Sequence, residues 1–74
     1  PIPAKNFIEI STDKTLLGDT EISIYNMLGK IVWNTKFEDF GQIQNIDLVN
    51  ITKGNYVLEI HNNDKLYRQK IVVE

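Results

Sequence analysis

The 74-residue chain contains no cysteine. Disulfide bridges, thiolate metal sites and a cysteine nucleophile are therefore all excluded. The chain also has no apolar run longer than three residues, whereas a helix that spans a bilayer needs roughly 20. No stretch of these residues can cross a membrane as a helix.

Neither positive nor negative charge predominates in the sequence. Eight basic and ten acidic side chains give a net charge of −2, and the two signs are interspersed along the chain. Nucleic acids and anionic membranes are usually bound by a basic stripe or patch. We therefore expect neither of them as a partner.

Groups that could support catalysis are few and isolated. The one histidine, His61, adjoins a polar turn, which predicts a solvated or rim position. Ser11 and Ser23 lack a glycine-framed elbow and a base, the glycines stand singly, and the carboxylates lack the spacing of a calcium loop. We expect no enzymatic activity, no cofactor, no metal site and no small-molecule substrate.

Apolar and polar residues alternate with the period of two that is typical of β-strands. The segments with this pattern are 7–11, 21–25, 31–37, 43–48, 56–61 and 66–73. Residues 12–20 are predicted to form a loop, with a short bridging strand at 15–17 as a variant. No segment has a sustained helical period. The pattern predicts an all-β fold in one domain, residues 1–74: a small antiparallel, immunoglobulin-like β-sandwich of six to seven short strands.

The alternation also predicts which side chains form the core. Trp33 and Tyr56 are the aromatic residues expected there, whereas Tyr25 and Tyr67 are expected to keep their hydroxyls at the surface. The remaining predicted core-facing positions are Ile8, Ile10, Ile22, Ile24, Ile31, Thr35, Phe37, Ile46, Leu48, Leu58 and Ile60.

The turn between the second and third predicted strands is unusual because it carries two large apolar side chains, Met27 and Leu28. Gly29 can adopt the left-handed conformation that a type I turn followed by a bulge requires. Gly54 is predicted as a second structural turn glycine. Met27 and Leu28 either fold back onto the end of the sandwich or offer an apolar contact to another protein.

Four segments together resemble a known family. Ile24 to Val32 is similar to the pattern "hydrophobic, Tyr, Asn, x, x, Gly, x, x, Val", and Ile46 to Ile60 contains "Gly, x, Tyr, x, hydrophobic, x, hydrophobic". Lys70 to Val73 forms a basic and apolar ending. Pro1 to Ala4 forms the opening, in which Ile2 replaces a usual asparagine. Their order resembles the type A C-terminal sorting domain of the type IX, or Por, secretion system. The resemblance spans essentially the whole chain.

This resemblance implies a noncatalytic signal at the C-terminus of a larger protein exported by a Bacteroidetes-type bacterium. The exported protein would cross the inner membrane, fold in the periplasm and be recognised by an outer-membrane translocon through this domain. A sortase-like peptidase would then usually remove the domain. The exported protein would reach the outer-membrane surface or the extracellular space.

Two parts of the chain are candidates for recognition by these protein partners. One is the turn with Met27, Leu28 and Gly29, and the other is the final strand. If that strand lies at a sheet edge, its backbone could accept a partner strand or pair two copies of the chain as a dimer. The candidate residues of the final strand are Lys65, Arg68, Lys70, Ile71, Val72 and Val73.

Two other functions are compatible with a small β-sandwich. A carbohydrate-binding or adhesive module would use Trp33, Tyr25 or Tyr67 on an exposed sheet face. An inert spacer attached to an enzyme would need no binding surface.

Overall fold

The computed structural model describes residues 2–4, 7–48 and 50–74, and these residues form seven β-strands. No helix occurs within these ranges, so none there is long and apolar enough to cross a membrane. The all-β prediction is therefore confirmed. The strands are β1 (Ile2–Ala4), β2 (Phe7–Leu16), β3 (Thr20–Asn26), β4 (Ile31–Phe37), β5 (Gly41–Asp47), β6 (Gly54–Asn62) and β7 (Lys65–Val73).

The strands form a five-stranded sheet and a two-stranded sheet that pack face to face. The strand order in the larger sheet is β1-β7-β6-β3-β4, and the smaller sheet pairs β2 with β5. All pairings are antiparallel except the short parallel pairing of β1 with β7. The predicted antiparallel sandwich is confirmed with that single exception, while its immunoglobulin-like classification stays a prediction.

The core lies between the two sheets and is mostly aliphatic. Ile22 and Ile24 of β3 are fully buried and pair with Ile60 and Leu58 of β6. The smaller sheet and its flanks contribute buried Ile8, Ile10, Leu16, Ile46 and Leu48 to the same cluster. The alternation predicted the inward positions of all these residues except Leu16, which fell within the predicted loop at 12–20. Tyr56 is buried as expected, whereas Trp33 and Phe37 are only partly buried and pack against the cluster.

The prediction that Ile31 shares the inward face of Trp33 is wrong. Trp33 pairs with Ile24, but Ile31 pairs with the next residue of β3, Tyr25, so that β4 has one extra residue at Val32. Such a bulge turns the following side chain to the other face of the sheet. Ile31 consequently lies on the exposed outer face.

The predicted loop at 12–20 is much shorter than expected. β2 continues to Leu16, which is buried and pairs with Gly41, and β3 already begins at Thr20. The pairing register shifts between Ser11 and Leu16. This irregularity lets a polar segment remain in the sheet while Leu16 still reaches the core, and a strict period of two cannot reveal it.

Two connections between the sheets meet at one end of the sandwich. The backbone N–H of Gly18, between β2 and β3, donates to the Asp39 carboxylate, between β4 and β5, at 3.0 Å. Next to Asp39, the Phe40 ring is only 1% exposed and packs edge-on against Phe37, with the ring centroids 5.6 Å apart. The sequence pattern did not predict Phe40 in the core, because it lies in a connection and not in a strand.

Candidate functional site

The turn between β3 and β4 is built by Asn26 and Gly29. The side-chain Oδ1 of Asn26 accepts hydrogen bonds from the backbone N–H groups of Leu28 and Lys30, each at 2.9 Å. Gly29 donates its N–H to the Asn26 carbonyl at 3.0 Å and has a φ of 84°. These bonds explain the Asn and Gly of the motif as turn-forming residues.

The apolar residues of this turn point into solvent. Leu28 is 93% exposed and Met27 is 58% exposed, so the alternative in which they fold back onto the end of the sandwich is wrong. Ile31, which the bulge places on the outer face, and Val32 are also exposed. We call these four side chains, Met27, Leu28, Ile31 and Val32, the tip patch. Apolar side chains exposed around one turn are a candidate surface for contact with another molecule.

Two basic residues of β7 lie on the outer face of the larger sheet. Arg68 is opposite Glu59 of β6, and Lys70 is opposite Val57. The Arg68 Nε–H donates to Glu59 Oε2 at 2.8 Å, while the Arg68 side chain remains 65% exposed. Arg68 therefore contacts the sheet and solvent at once.

Glu59 is the centre of a polar cluster on this face. It is only 8% exposed, because its neighbours cover it: Tyr25 donates its hydroxyl to Glu59 Oε1 at 3.4 Å, and His61 Nε2 lies 3.0 Å from the same oxygen. The hydrogen bond from Arg68 is the main reason that the pKa of Glu59 lies below its ordinary value of 4.5; burial opposes the shift and His61 adds to it. The sequence pattern did not predict this role, because a charged residue at an outward-facing strand position is normally solvated.

A shallow groove of about 610 Å³ joins the turn to the basic residues of β7. It crosses the larger sheet on its outer face, and we call it the outer groove. It brings together Met27, Gly29, Arg68 and Lys70, which the sequence singled out from two distant segments. Its lining residues are Tyr25, Asn26, Met27, Gly29, Val57, Glu59, Arg68 and Lys70.

The other candidate residues of β7 lie elsewhere. Lys65 is exposed at the far end of the strand, where it pairs with Asn62. Ile71 and Val73 are buried in the core, and Val72 is half-buried. Burial gives Ile71 and Val73 a packing role and removes them from the accessible surface; their part in recognition stays a prediction.

The final strand is an open edge only in part. β1 pairs in parallel with residues 71–73 and covers them. Along residues 65–70, no strand in the described part of the chain pairs with the side of β7 that faces away from β6. A partner strand would therefore find free backbone groups on that stretch.

The aromatic residues considered for sugar binding do not form one surface. Trp33 pairs with inward-facing Ile24, whereas Tyr25 lies on the outer face. Tyr67 is on β7, which β6 and β3 separate from Trp33 on β4. With strands about 4.8 Å apart, a single sugar ring cannot contact all of them.

Another concavity lies at the opposite end of the same face. It measures about 660 Å³ and has mixed charge, with Asp19, Glu21 and Glu38 beside Lys36 and His61. Among the side chains that the structure describes, no three histidines or carboxylates are grouped closely enough to hold a metal ion.

Comparison with known protein families gives one match that covers the whole chain. Residues 1–74 match the family model described as a secretion system C-terminal sorting domain. No curated protein matches the chain.

Proposed function

The chain belongs to the family of secretion system C-terminal sorting domains, and from this premise we propose that the outer-membrane translocon recognises it as a folded domain by its surface. Family membership itself identifies the chain as a C-terminal sorting signal for type IX secretion. It also means that the protein carrying the signal is exported to the cell surface or the extracellular space and interacts with the secretion machinery.

In the proposed route, the domain ends a larger secreted protein of a Bacteroidetes-type bacterium. The protein crosses the inner membrane, folds in the periplasm and docks on the translocon through this domain. A sortase-like peptidase then removes the domain, which carries out no reaction of its own. The match of the chain to the family over its full length supports this route.

The observation that carries the proposal is the outer groove. It unites the exposed turn, with Met27 and Gly29, and the basic part of β7, with Arg68 and Lys70, on one face. Interface cores are enriched in Met and Arg relative to other surface. Leu28 extends this surface at the turn. The open stretch 65–70, which begins at Lys65, offers backbone groups for a partner strand or for a second copy of the chain.

A secretion assay tests the proposal. A signal peptide and a fluorescent protein are placed before the domain and expressed in a host with the type IX machinery. We expect the wild-type fusion to be released or displayed, and the double variant Met27→Ser with Leu28→Ser to be exported about tenfold less, which corresponds to about 1.4 kcal/mol of lost contact energy.

The matched control is Ile43→Ser, because Ile43 is also an exposed apolar residue, 60% accessible, but belongs to the smaller sheet. Thermal unfolding of all three purified domains should agree within the error expected of surface substitutions. Retention of the wild-type fusion inside the cell would contradict the sorting function. Equal export of the tip and control variants would contradict the proposed contact.

A further inference from the structure

The outer groove is lined by both apolar and basic side chains. Its apolar lining is Met27, 58% exposed, and half-buried Val57. Its basic lining is Arg68 and Lys70 of β7, and Lys70 lies directly opposite Val57. A ligand that fills the groove must therefore combine an apolar group with an anionic one.

The carboxylate of Glu59, which lines the groove, already has partners within the chain. Glu59 is the only carboxylate among the described residues that line it. Its oxygens accept from Tyr25 and Arg68 and lie beside His61. Arg68 uses its Nε–H for this bond, and no other partner of the guanidinium is found among the described residues. The terminal nitrogens of Arg68 and the ammonium group of Lys70 thus remain available to an external anion.

We propose that the outer groove binds a carboxylate together with the apolar side chain beside it, both presented by an acidic segment of the secretion machinery. This inference rests on the proposed function and specifies the chemistry of the partner. The Glu59 carboxylate fixes Arg68 at its Nε, which orients the terminal nitrogens as the planar pair that a carboxylate accepts. The apolar side chain packs on Val57 and Met27.

A carboxylate fits this groove better than a phosphate or an anionic lipid surface. Lipid-binding sites usually combine four to eight basic residues, whereas this groove has Arg68 and Lys70 only. The whole chain carries a net charge of −2. The Glu59 carboxylate would also repel a doubly charged phosphate more strongly than a single carboxylate.

The probe for this inference is the peptide acetyl-Leu-Glu-Leu-Glu-amide, titrated into the isotope-labelled 74-residue chain and followed by amide NMR. We expect shifts confined to the outer groove, with clear saturation, and at least fivefold weaker binding of the neutral peptide acetyl-Leu-Gln-Leu-Gln-amide. Equal binding of the two peptides, shifts outside the groove, or no shifts at all would overturn the inference. So would tighter binding to inorganic phosphate or to vesicles containing anionic lipid.

Charge reversal provides the matched variants. Lys70→Glu should weaken the binding of the acidic peptide about tenfold. Lys53 is an exposed lysine in the connection before β6, and Lys53→Glu should leave the affinity for the peptide unchanged. The same two variants are then compared in the secretion assay. If Lys70→Glu weakens binding of the acidic peptide but leaves export normal, the groove inference is overturned and the sorting function stands. If the wild-type fusion itself is not exported, the sorting proposal fails, whether or not the acidic peptide binds.

Discussion

At the scale of single residues, Glu59 shows how an outward-facing charge can become part of the structure. It lies in β6, flanked by β3 and β7, so that neighbours on both sides can cover its carboxylate. Tyr25 comes from β3, Arg68 from β7 and His61 from β6 itself. Removing the charge of this acceptor weakens several hydrogen bonds at once, although water can reach the exposed side chains of Arg68 and His61.

The variant Glu59→Gln tests this role. We expect a loss of about 0.5–1.5 kcal/mol in the free energy of unfolding at pH 7, because the charge-assisted hydrogen bonds to Glu59 are lost while Arg68 and His61, 65% and 50% exposed, can bind water instead. Urea unfolding at pH 7 measures the loss. The control Glu9→Gln, at an exposed position on the smaller sheet, should change little.

The pH dependence of stability provides a second test of Glu59. The pKa of Glu59 in the folded state lies below the ordinary value of 4.5. Between the folded and the unfolded pKa, the unfolded state therefore binds more protons than the folded state. The stabilising contribution is fully present above pH 4.5 and is lost as the pH falls through the folded value. Urea unfolding from pH 7 down to pH 3 should show a smaller decline for Glu59→Gln than for wild type. Parallel declines would contradict this assignment.

At the scale of elements, local patterns predicted the strands better than their ends. The alternation correctly placed Ile22, Ile24, Leu58 and Ile60 in the core, because each lies in a strand with regular pairing. The end of β2 was missed, since its register shifts before Leu16. Period-two reasoning fails wherever a bulge or irregular pairing inserts a residue.

The candidate site was predicted in its parts but not as a whole. The apolar turn and the basic residues of β7 were both visible in the sequence. Their meeting in the outer groove depends on β6 lying between β3 and β7, and the order of strands is a property of long-range pairing. Phe40 was missed for a related reason: no local pattern marks a connecting residue that fills a core.

The hairpin of β3 and β4 yields a prediction about its turn. Gly29 has a φ of 84°, and a Cβ placed on it would meet no atom within 4 Å. Gly29→Ala should therefore lose only backbone energy, about 1–2 kcal/mol, which is a drop of roughly 4–16 °C in the midpoint of thermal unfolding for a domain of this size. Calorimetry or circular dichroism can measure that midpoint.

The matched variant at the same position is Gly29→Asn. Asparagine tolerates the left-handed conformation better than alanine does, so its unfolding midpoint should lie between those of Gly29→Ala and wild type. Both side chains would extend into open space. If alanine and asparagine lowered the midpoint equally, backbone conformation would not be the reason for glycine at this position.

At the scale of the whole molecule, the sandwich is small and its layers are unequal. The two-stranded sheet covers only part of the five-stranded one, and the buried cluster holds them together. Domains of this size usually have little stability to spare. Phe40, 1% exposed between the sheets, is therefore expected to contribute a large share of the total.

Phe40→Ala should destabilise the domain by about 3–5 kcal/mol, as is usual for removing a buried aromatic ring. Urea unfolding followed by the fluorescence of the single tryptophan, Trp33, can measure this loss. Phe40→Leu keeps most of the buried volume, so its loss of unfolding free energy should be clearly smaller. Ile43→Ala, at an exposed strand position, should change the free energy of unfolding little.

The same variant distinguishes a folded signal from a linear one. Phe40 lies in the connection between β4 and β5, away from the outer groove and outside every segment of the family-like sequence pattern. A translocon that read a linear motif would still export a Phe40→Ala fusion, because every motif residue is intact. A translocon that recognises the folded surface would export it less in proportion to the unfolded fraction, with Phe40→Leu between it and wild type. Normal export of a Phe40→Ala domain that is mostly unfolded at the assay temperature would contradict recognition through the fold.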